Sequence, residues 1–257
     1  MLGKLFQKKG AAEAPAGKRI YAVGDIHGCL EELNSLLDKI QEDNKAASVF
    51  QTSGSNDRQQ HTTSLIFLGD YVDRGPDSRG VIERLIALKK HAPDTVFLKG
   101  NHEALMLDYL SNPHETEHWL DWGGEETLKS YGVSPVAGRT NDDLAATLKD
   151  KLPESHASFL QSLNLIHLEG DYLFVHAGLR PGVALHDQQE EDLLWVRKKF
   201  HKMNASDRPE QVVVHGHQPV EKPLDAGWRI DVDTGACWSG RLTAVVLEET
   251  SRRFLST

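Results

Sequence analysis

The chain has 257 residues, 39% hydrophobic and 26% charged, with 29 basic against 38 acidic residues for a formal charge of −9. This is the composition of a soluble globular protein long enough to bury a substantial core, and an acidic chain without a basic run argues against general nucleic-acid binding. Two cysteines, Cys29 and Cys237, make neither a disulfide framework nor a zinc motif and point to a reducing compartment, read as the cytoplasm.

Residues 1–18, rich in Lys, Gly and Ala, lack the apolar stretch of a secretory signal and read as a flexible tail. Leu2, Leu5 and Phe6 beside Lys4, Lys8 and Lys9 could touch an anionic surface, but a frayed terminus is the simpler expectation. No stable membrane association is expected, because no run of 18 apolar residues occurs. Residues 19–23 read as a strand. Residues 29–41 read as a helix, with Leu30, Leu33, Leu36, Leu37 and Ile40 on one face. Residues 43–63 are polar and read as a long surface loop. A strand at 64–68, a helix at 78–91 ending before Pro93, a strand at 95–98 and a helix at 101–110 follow. Residues 114–163 turn helical and read as a cap. Strand patterns return at 165–168, 172–175, 211–214, 228–232 and 242–247. The expectation is one domain over residues 19–250: an α/β fold of two packed mixed β-sheets flanked by helices in four layers, with a helical cap at about 114–163.

Three blocks stand at the ends of the first three strands: GDIHG at 24–28, GDYVDRG at 69–75 and GNHE at 100–103. Side chains at the carboxyl ends of strands are where α/β folds build their sites. Asp25 and His27, one residue apart, point the same way from an extended strand end. Asp70 and Asn101 end the next two strands. His176 follows the apolar run 172–175, and His217 follows 212–214. All six are oxygen or nitrogen donors, a set suited to Mn, Fe or Zn. Six exceed the four of a closed zinc site, but two ions about 3.5–4 Å apart and bridged by one carboxylate would use them all. Singly, each of these residues is more often a turn, a cap or a solvated side chain; the coincidence of all six at predicted strand ends favours a site. His215, two residues from His217, would share its face in a strand, so spacing leaves that choice open. His61, His91, His114, His118, His156, His186 and His201 read as surface, and His167 as part of a sheet face.

These blocks, together with the His of VHAG (175–178) and the GH at 216–217, resemble the phosphoprotein-phosphatase branch of the calcineurin-like metallophosphoesterases. The likeness is closest to bacterial and lambda-phage-type serine/threonine protein phosphatases. It extends to LLWVR (193–197), GHQPVEKPL (216–224) and IDVDTGACWSGRLT (230–243), covering residues 19–248. The resemblance implies two divalent cations, Mn2+ first and Fe or Zn as alternatives. Asp25 and His27 would hold one, Asn101, His176 and His217 the other, and Asp70 would bridge them. His217 is preferred to His215 because the family's ligand follows the glycine. By the same likeness His102 protonates the leaving oxygen, Asp73 orients His102, and Arg74, Arg197 and Asn101 seat the phosphate.

The implied function is hydrolysis of phosphomonoesters by direct attack of water. Phosphoserine or phosphothreonine on a protein or peptide is the expected substrate, and no regulatory subunit is expected. No CxxxxxR motif offers a covalent phosphoenzyme route. The alternative is a bacterial diadenosine tetraphosphate hydrolase, whose second block commonly carries alanine in place of Asp73 and whose third commonly ends in Asp rather than Glu103. Those two positions favour the phosphatase. A non-catalytic phospho-ligand binding module is the third reading, disfavoured because every expected ligand is present. Trp122 stands where relatives often have Asn before the paired glycines, and Trp238 lies in the GACWSG block. Each is either a rim residue of the site or ordinary packing.

Overall fold

The computed structural model describes residues 11–51, 62–134 and 138–257. In chain order the first half runs β1 (Lys18–Val23), α1 (Leu30–Gln51), β2 (Thr62–Phe67), α2 (Ser78–His91), β3 (Val96–Phe97) and α3 (Asn101–Ser111). The cap follows, with a π-helical turn at Leu120–Gly124, α4 (Glu125–Ser130), α5 (Asn141–Lys151) and α6 (Glu154–Gln161). The second half runs β4 (Ile166–Glu169), β5 (Tyr172–Val175), α7 (Glu190–Trp195), α8 (Lys198–His201), β6 (Val212–His215), β7 (Leu224–Asp225), β8 (Arg229–Asp231), α9 (Ala236–Ser239), β9 (Thr243–Glu248) and β10 (Ser251–Ser256).

The strands form two mixed five-stranded sheets, ordered β10-β9-β1-β2-β3 and β4-β5-β6-β8-β7. Strands β1, β2 and β3 are parallel, as are β5, β6 and β8. Each sheet therefore sends the carboxyl ends of its central strands to one edge. Alternation along the strands fixes the layers. Ile20, Ala22, Ile66 and Leu68 face Tyr172, Phe174, Val212 and Val214 between the sheets. On the far face of the first sheet, Tyr21, Val23 and Phe67 pack under Leu33, Leu36, Ile82 and Met106 of the helices. On the far face of the second, Leu173, Val175 and Val213 pack against Leu193, Phe200 and Met203. The result is the expected four-layer α/β sandwich.

Four local expectations need correction. Helix α1 continues to Gln51, into the stretch expected to be loop. Its Glu, Lys and Ala residues favour helix, and Asp43, Asn44 and Lys45 lie on a partly exposed helix face. Asp43 anchors it, accepting from Tyr21 Oη at 2.6 Å. The remainder of that stretch, 52–61, lies outside the described residues.

The tail expected over residues 1–18 is docked from residue 11 onward. Ala14 is buried, its N–H donates to Glu249 O at 2.8 Å, and Glu13 N–H donates to the Asp171 carboxylate at 3.0 Å. Residues 1–10, with the candidate membrane-touching side chains, lie outside the described residues.

Strand β10 lies beyond the expected boundary at 250. Arg252 and Arg253 disguise it as polar, but each finds a carboxylate, Asp225 at 3.2 Å and Asp43 at 2.5 Å. Charge of this kind is how an edge strand discourages further pairing. His156 is buried rather than at the surface, its Nδ1 hydrogen-bonded with Tyr131 Oη at 2.8 Å inside the cap. Among the described residues no helix is long and apolar enough to cross a membrane.

Candidate metal centre

The three blocks meet at the carboxyl edge of the first sheet, and the strand-end histidines of the second sheet meet them there. Asp25 and His27 follow β1, Asp70 follows β2, Asn101 opens α3, His176 follows β5 and His217 follows β6; all six are buried. Reaching this edge bends the chain sharply. Of six non-glycine residues with left-handed φ among the described residues, five are His27, Asp70, Asp73, Arg74 and His217. Strain concentrated in this way is characteristic of functional sites. Gly216 is required where it stands, since a Cβ there would collide with Asp25 Oδ1.

Two tight groups of donors share Asp70. In the first, Asp70 Oδ2 lies 3.4 Å from His27 Nε2 and 4.0 Å from His102 Nε2. In the second, His176 Nε2 lies 3.4 Å from Asp70 Oδ1, 2.9 Å from Asn101 Oδ1 and 3.2 Å from His217 Nδ1. His217 Nδ1 is 2.8 Å from the same Asn101 oxygen. His27 Nδ1 pairs with Val72 O at 2.8 Å and His176 Nδ1 with Leu68 O at 2.9 Å. Donating there fixes the tautomers and leaves both Nε2 lone pairs facing inward, the usual support of a metal-binding imidazole.

Burial holds these rings neutral. It lowers His27 to about 3 and, with His176 adding to it, His217 to about 2; His176 is lowered as well. Burial alone would raise Asp70, but His176, His102 and His27 outweigh it and hold the carboxyl below the usual range. Neutral imidazoles, an amide oxygen and an ionised carboxylate converging this closely are a donor set for divalent cations.

Asp25 stands outside both tight groups. Its carboxylate accepts the His217 N–H at 3.0 Å, and burial, Asp233 and Asp70 push it well above the usual range. Such crowding of buried carboxylates is relieved by a cation.

His102 belongs to a second layer of chemistry. Its Nδ1 lies 2.6 Å from Asp73 Oδ2, while Nε2 faces Asp70. Burial works against the charged ring, but Asp70 and Asp73 together raise it above the ordinary imidazole value. Asp73 also accepts from Trp119 Nε1 at 2.8 Å and Thr127 Oγ1 at 2.6 Å. Arg74 Nη1 donates to His27 Nε2 at 2.6 Å, and Arg197 Nε donates to His217 Nε2 at 3.1 Å. Both guanidinium groups line an open cavity of about 490 Å3 that also reaches Asn101, His102 and three tryptophans.

Backbone geometry separates the two neighbouring histidines. At His217 φ is 67°, so the chain leaves the strand before that residue. His215 therefore faces away from the cavity, with Nδ1 3.0 Å from Gly216 O, Nε2 3.1 Å from Arg229 Nη1 and its ring against Phe200. His201, His215 and Asp231 form a third donor group, but Arg229 already supplies its positive charge, 3.6 Å from Asp231.

Sequence reasoning missed the residues beneath the site. Trp119 and Thr127 were hidden in the cap, where a buried indole reads as packing. Asp231 and Asp233 lie in the IDVDTG stretch, where alternation with Ile230 and Val232 was the available signal. Burial and Asp233 push Asp231 to about 8, and burial raises Asp233 to about 6. Asp231 Oδ2 is buried without a hydrogen-bond partner, with the Arg229 guanidinium 3.6 Å away.

The calcineurin-like phosphoesterase profile matches residues 18–243. The chain belongs to this family. Two donor groups sharing Asp70 fit the paired divalent cations of such enzymes, so this is a hydrolase of the metallophosphoesterase type. The bis(5'-nucleosyl)-tetraphosphatase PrpE (asymmetrical) of Bacillus thuringiensis (strain Al Hakam) is 26% identical over 238 residues, covering 87% of this chain and 88% of its own. The protein of that name in Oceanobacillus iheyensis is 26% identical over 240 residues, covering 88% and 87%. Among solved structures, a candidate diadenosine tetraphosphatase superposes with a TM-score of 0.61 at 21% identity, over 95% of this chain and 98% of that one. A protein serine/threonine phosphatase from Saccharomyces cerevisiae gives 0.56 at 16% identity, over 94% and 80%. At such identities the two structures show a shared fold and leave the phosphoprotein-phosphatase branch without specific support.

Proposed function

We propose that this metallophosphoesterase hydrolyses dinucleoside tetraphosphates asymmetrically. This reverses the order in which the sequence ranked its two substrates. The observation that carries the proposal is likeness, over 87–88% of this chain, to relatives named for that activity. One argument for a phosphatase also falls away. Glu103 accepts the backbone N–H groups of Asp70, Tyr71, Val72 and Gly100 at 2.7–3.2 Å, so it braces the loops and does not touch the cavity.

Asp25, His27, Asp70, Asn101, His176 and His217 would hold two divalent cations, Mn2+ being the first to try. When bound, these supply the Lewis acidity that activates water and offsets charge on the phosphoryl oxygens. Arg74 and Arg197, which line the open cavity, would grip the same oxygens as planar forks suited to phosphate. Asn101, which also lines the cavity, would orient one of them. His102, whose charged ring Asp70 and Asp73 favour against burial, would hold a proton at Nε2 for the departing oxygen.

That last feature favours a second reading, a protein serine/threonine phosphatase. An alkoxide needs the proton far more than a nucleotide phosphate does. The test is product analysis with Mn2+-loaded protein on diadenosine tetraphosphate and on a phosphoseryl peptide. ATP and AMP in equal amounts support the proposal. Turnover of the peptide alone supports the second reading, and turnover of neither points to a binding module.

A further inference from the structure

Four large apolar side chains are exposed among the described residues: Trp122, Trp238, Leu168 and Leu224. Both tryptophans line the cavity that holds Arg74 and Arg197. Trp238 is 64% exposed and Trp122 45%, unusual for the residue with most to gain from burial. Their ring neighbours differ: Trp238 lies on the His27 side of the donor groups, and Trp122 reaches the His217 side through Trp195. Trp238 lies 6.5 Å from the His27 ring, with the Arg74 guanidinium 5.0 Å over its face. Trp122 is set edge-on against Trp195 at 5.6 Å, and Trp195 in turn lies 6.1 Å from the His217 ring.

Charge divides the cavity in the same sense. Arg74 and Arg197 face the donor groups, while the cavity lining also holds Asp121, adjacent to Trp122 in the chain, and Glu126, four residues after it. Carboxylates repel a phosphate but accept from the exocyclic amino group of a purine. An occupant with anionic phosphates at its centre and flat, amino-bearing rings at its ends matches both the charge and the aromatic surfaces. A bare phosphomonoester would leave both indoles uncovered.

We infer that Trp122 and Trp238 are stacking platforms for the nucleobases of a nucleoside polyphosphate, one on the His217 side of the metal centre and one on the His27 side. This rests on the proposed dinucleotide reading and adds to it which residues recognise the nucleoside. Stacking on an exposed indole is tolerant of base identity, so adenine and guanine nucleotides should both be accepted.

The test compares two non-hydrolysable ligands that differ only in the nucleoside, α,β-methylene-ADP and methylenediphosphonate. Each is titrated calorimetrically into Mn2+-loaded full-length protein. The nucleotide should bind about tenfold or more tightly than the diphosphonate. The double variant W122A/W238A should lose most of that gap while its affinity for methylenediphosphonate stays within about twofold. The double variant W122F/W238F, which keeps two flat rings, should retain most of the gap. Equal affinities in the wild type, or a gap that survives in W122A/W238A, would overturn the inference. A gap without any turnover of diadenosine tetraphosphate would leave nucleobase stacking standing and reject the dinucleotide hydrolase instead.

Discussion

The strand-end loops of the two sheets contribute every candidate metal ligand, whereas the cap contributes none and sends Trp119 and Thr127 beneath Asp73. The loops are pinned by parallel strand pairing and by Glu103, which ties four backbone N–H groups together. The cap is joined to them at narrow points. One is Gly123, whose φ of 110° and missing Cβ let its carbonyl accept the Arg74 N–H at 3.1 Å. The contrast separates making the chemistry possible from tuning it. Changes in the loops should abolish activity, and changes in the cap should adjust it.

Asp70→Asn tests the first half of that statement most severely. Both donor groups use this carboxylate, so its loss should weaken both ions at once. Activity should fall on the order of a thousandfold or more, and metal analysis of the purified protein should show fewer than two ions per chain. A variant that kept two ions and most of its rate would break the assignment of Asp70 as the shared ligand.

His102→Asn keeps the loop but removes the acid. On an alkyl phosphate kcat should fall about a hundredfold to a thousandfold. On diadenosine tetraphosphate or an aryl phosphate, whose leaving groups need less protonation, the fall should be under about tenfold. Equal losses on all three would show that His102 is not the acid. The pH profile supplies a finer measure. Asp70 and Asp73 raise His102 against the effect of burial, so the active protonated form is lost only as pH climbs past the ordinary imidazole value. Asp73→Asn removes part of that support and should move the alkaline limb to lower pH.

The cap side of the comparison is sharpened by Thr127→Val, which keeps the shape and deletes the hydroxyl that donates to Asp73 Oδ1 at 2.6 Å and accepts from Asp73 N–H at 2.9 Å. We expect kcat on an alkyl phosphate to fall about threefold to tenfold with KM unchanged, the signature of a positioning residue acting through His102. A change in KM alone would place Thr127 in substrate binding instead.

The difference between loops and cap also governs what could be read from the chain. Strand ends carry their own markers. An apolar run followed by Gly-Asp or Gly-Asn announces both the strand and the side chain at its tip, so the four-layer fold and the blocks around Asp25, Asp70 and Asn101 were legible. Asp73 could be named from its block, but not the indole of Trp119 that holds it. That contact joins residues 46 apart, and nothing local encodes it. Helix α1 was cut short because an exposed helix face and a loop share the same polarity. Strand β10 was missed because its arginines find partners on distant elements. The ranking of substrates rested on Asp73 and Glu103, and the role of Glu103 became visible only when its four backbone donors were seen.

His215 and His217 provide the smallest and most local test. A strand would put both on one face, yet the left-handed turn at His217 sends them to opposite sides of the sheet edge. His215 sits against Phe200 and accepts from Arg229 at 3.1 Å; His217 joins Asn101 and His176. His215→Gln should therefore leave kcat/KM within about threefold. Its expected cost is stability, about 1–3 kcal/mol for a poorly paired buried group, or a Tm lower by several degrees in a chain of this length. His217→Gln should do the reverse, losing at least about a hundredfold in activity with little change in Tm in the absence of metal. If the two phenotypes were exchanged, the backbone turn would have misdirected the assignment, and the second cation would have to be sought on the side of Arg229 and Asp231.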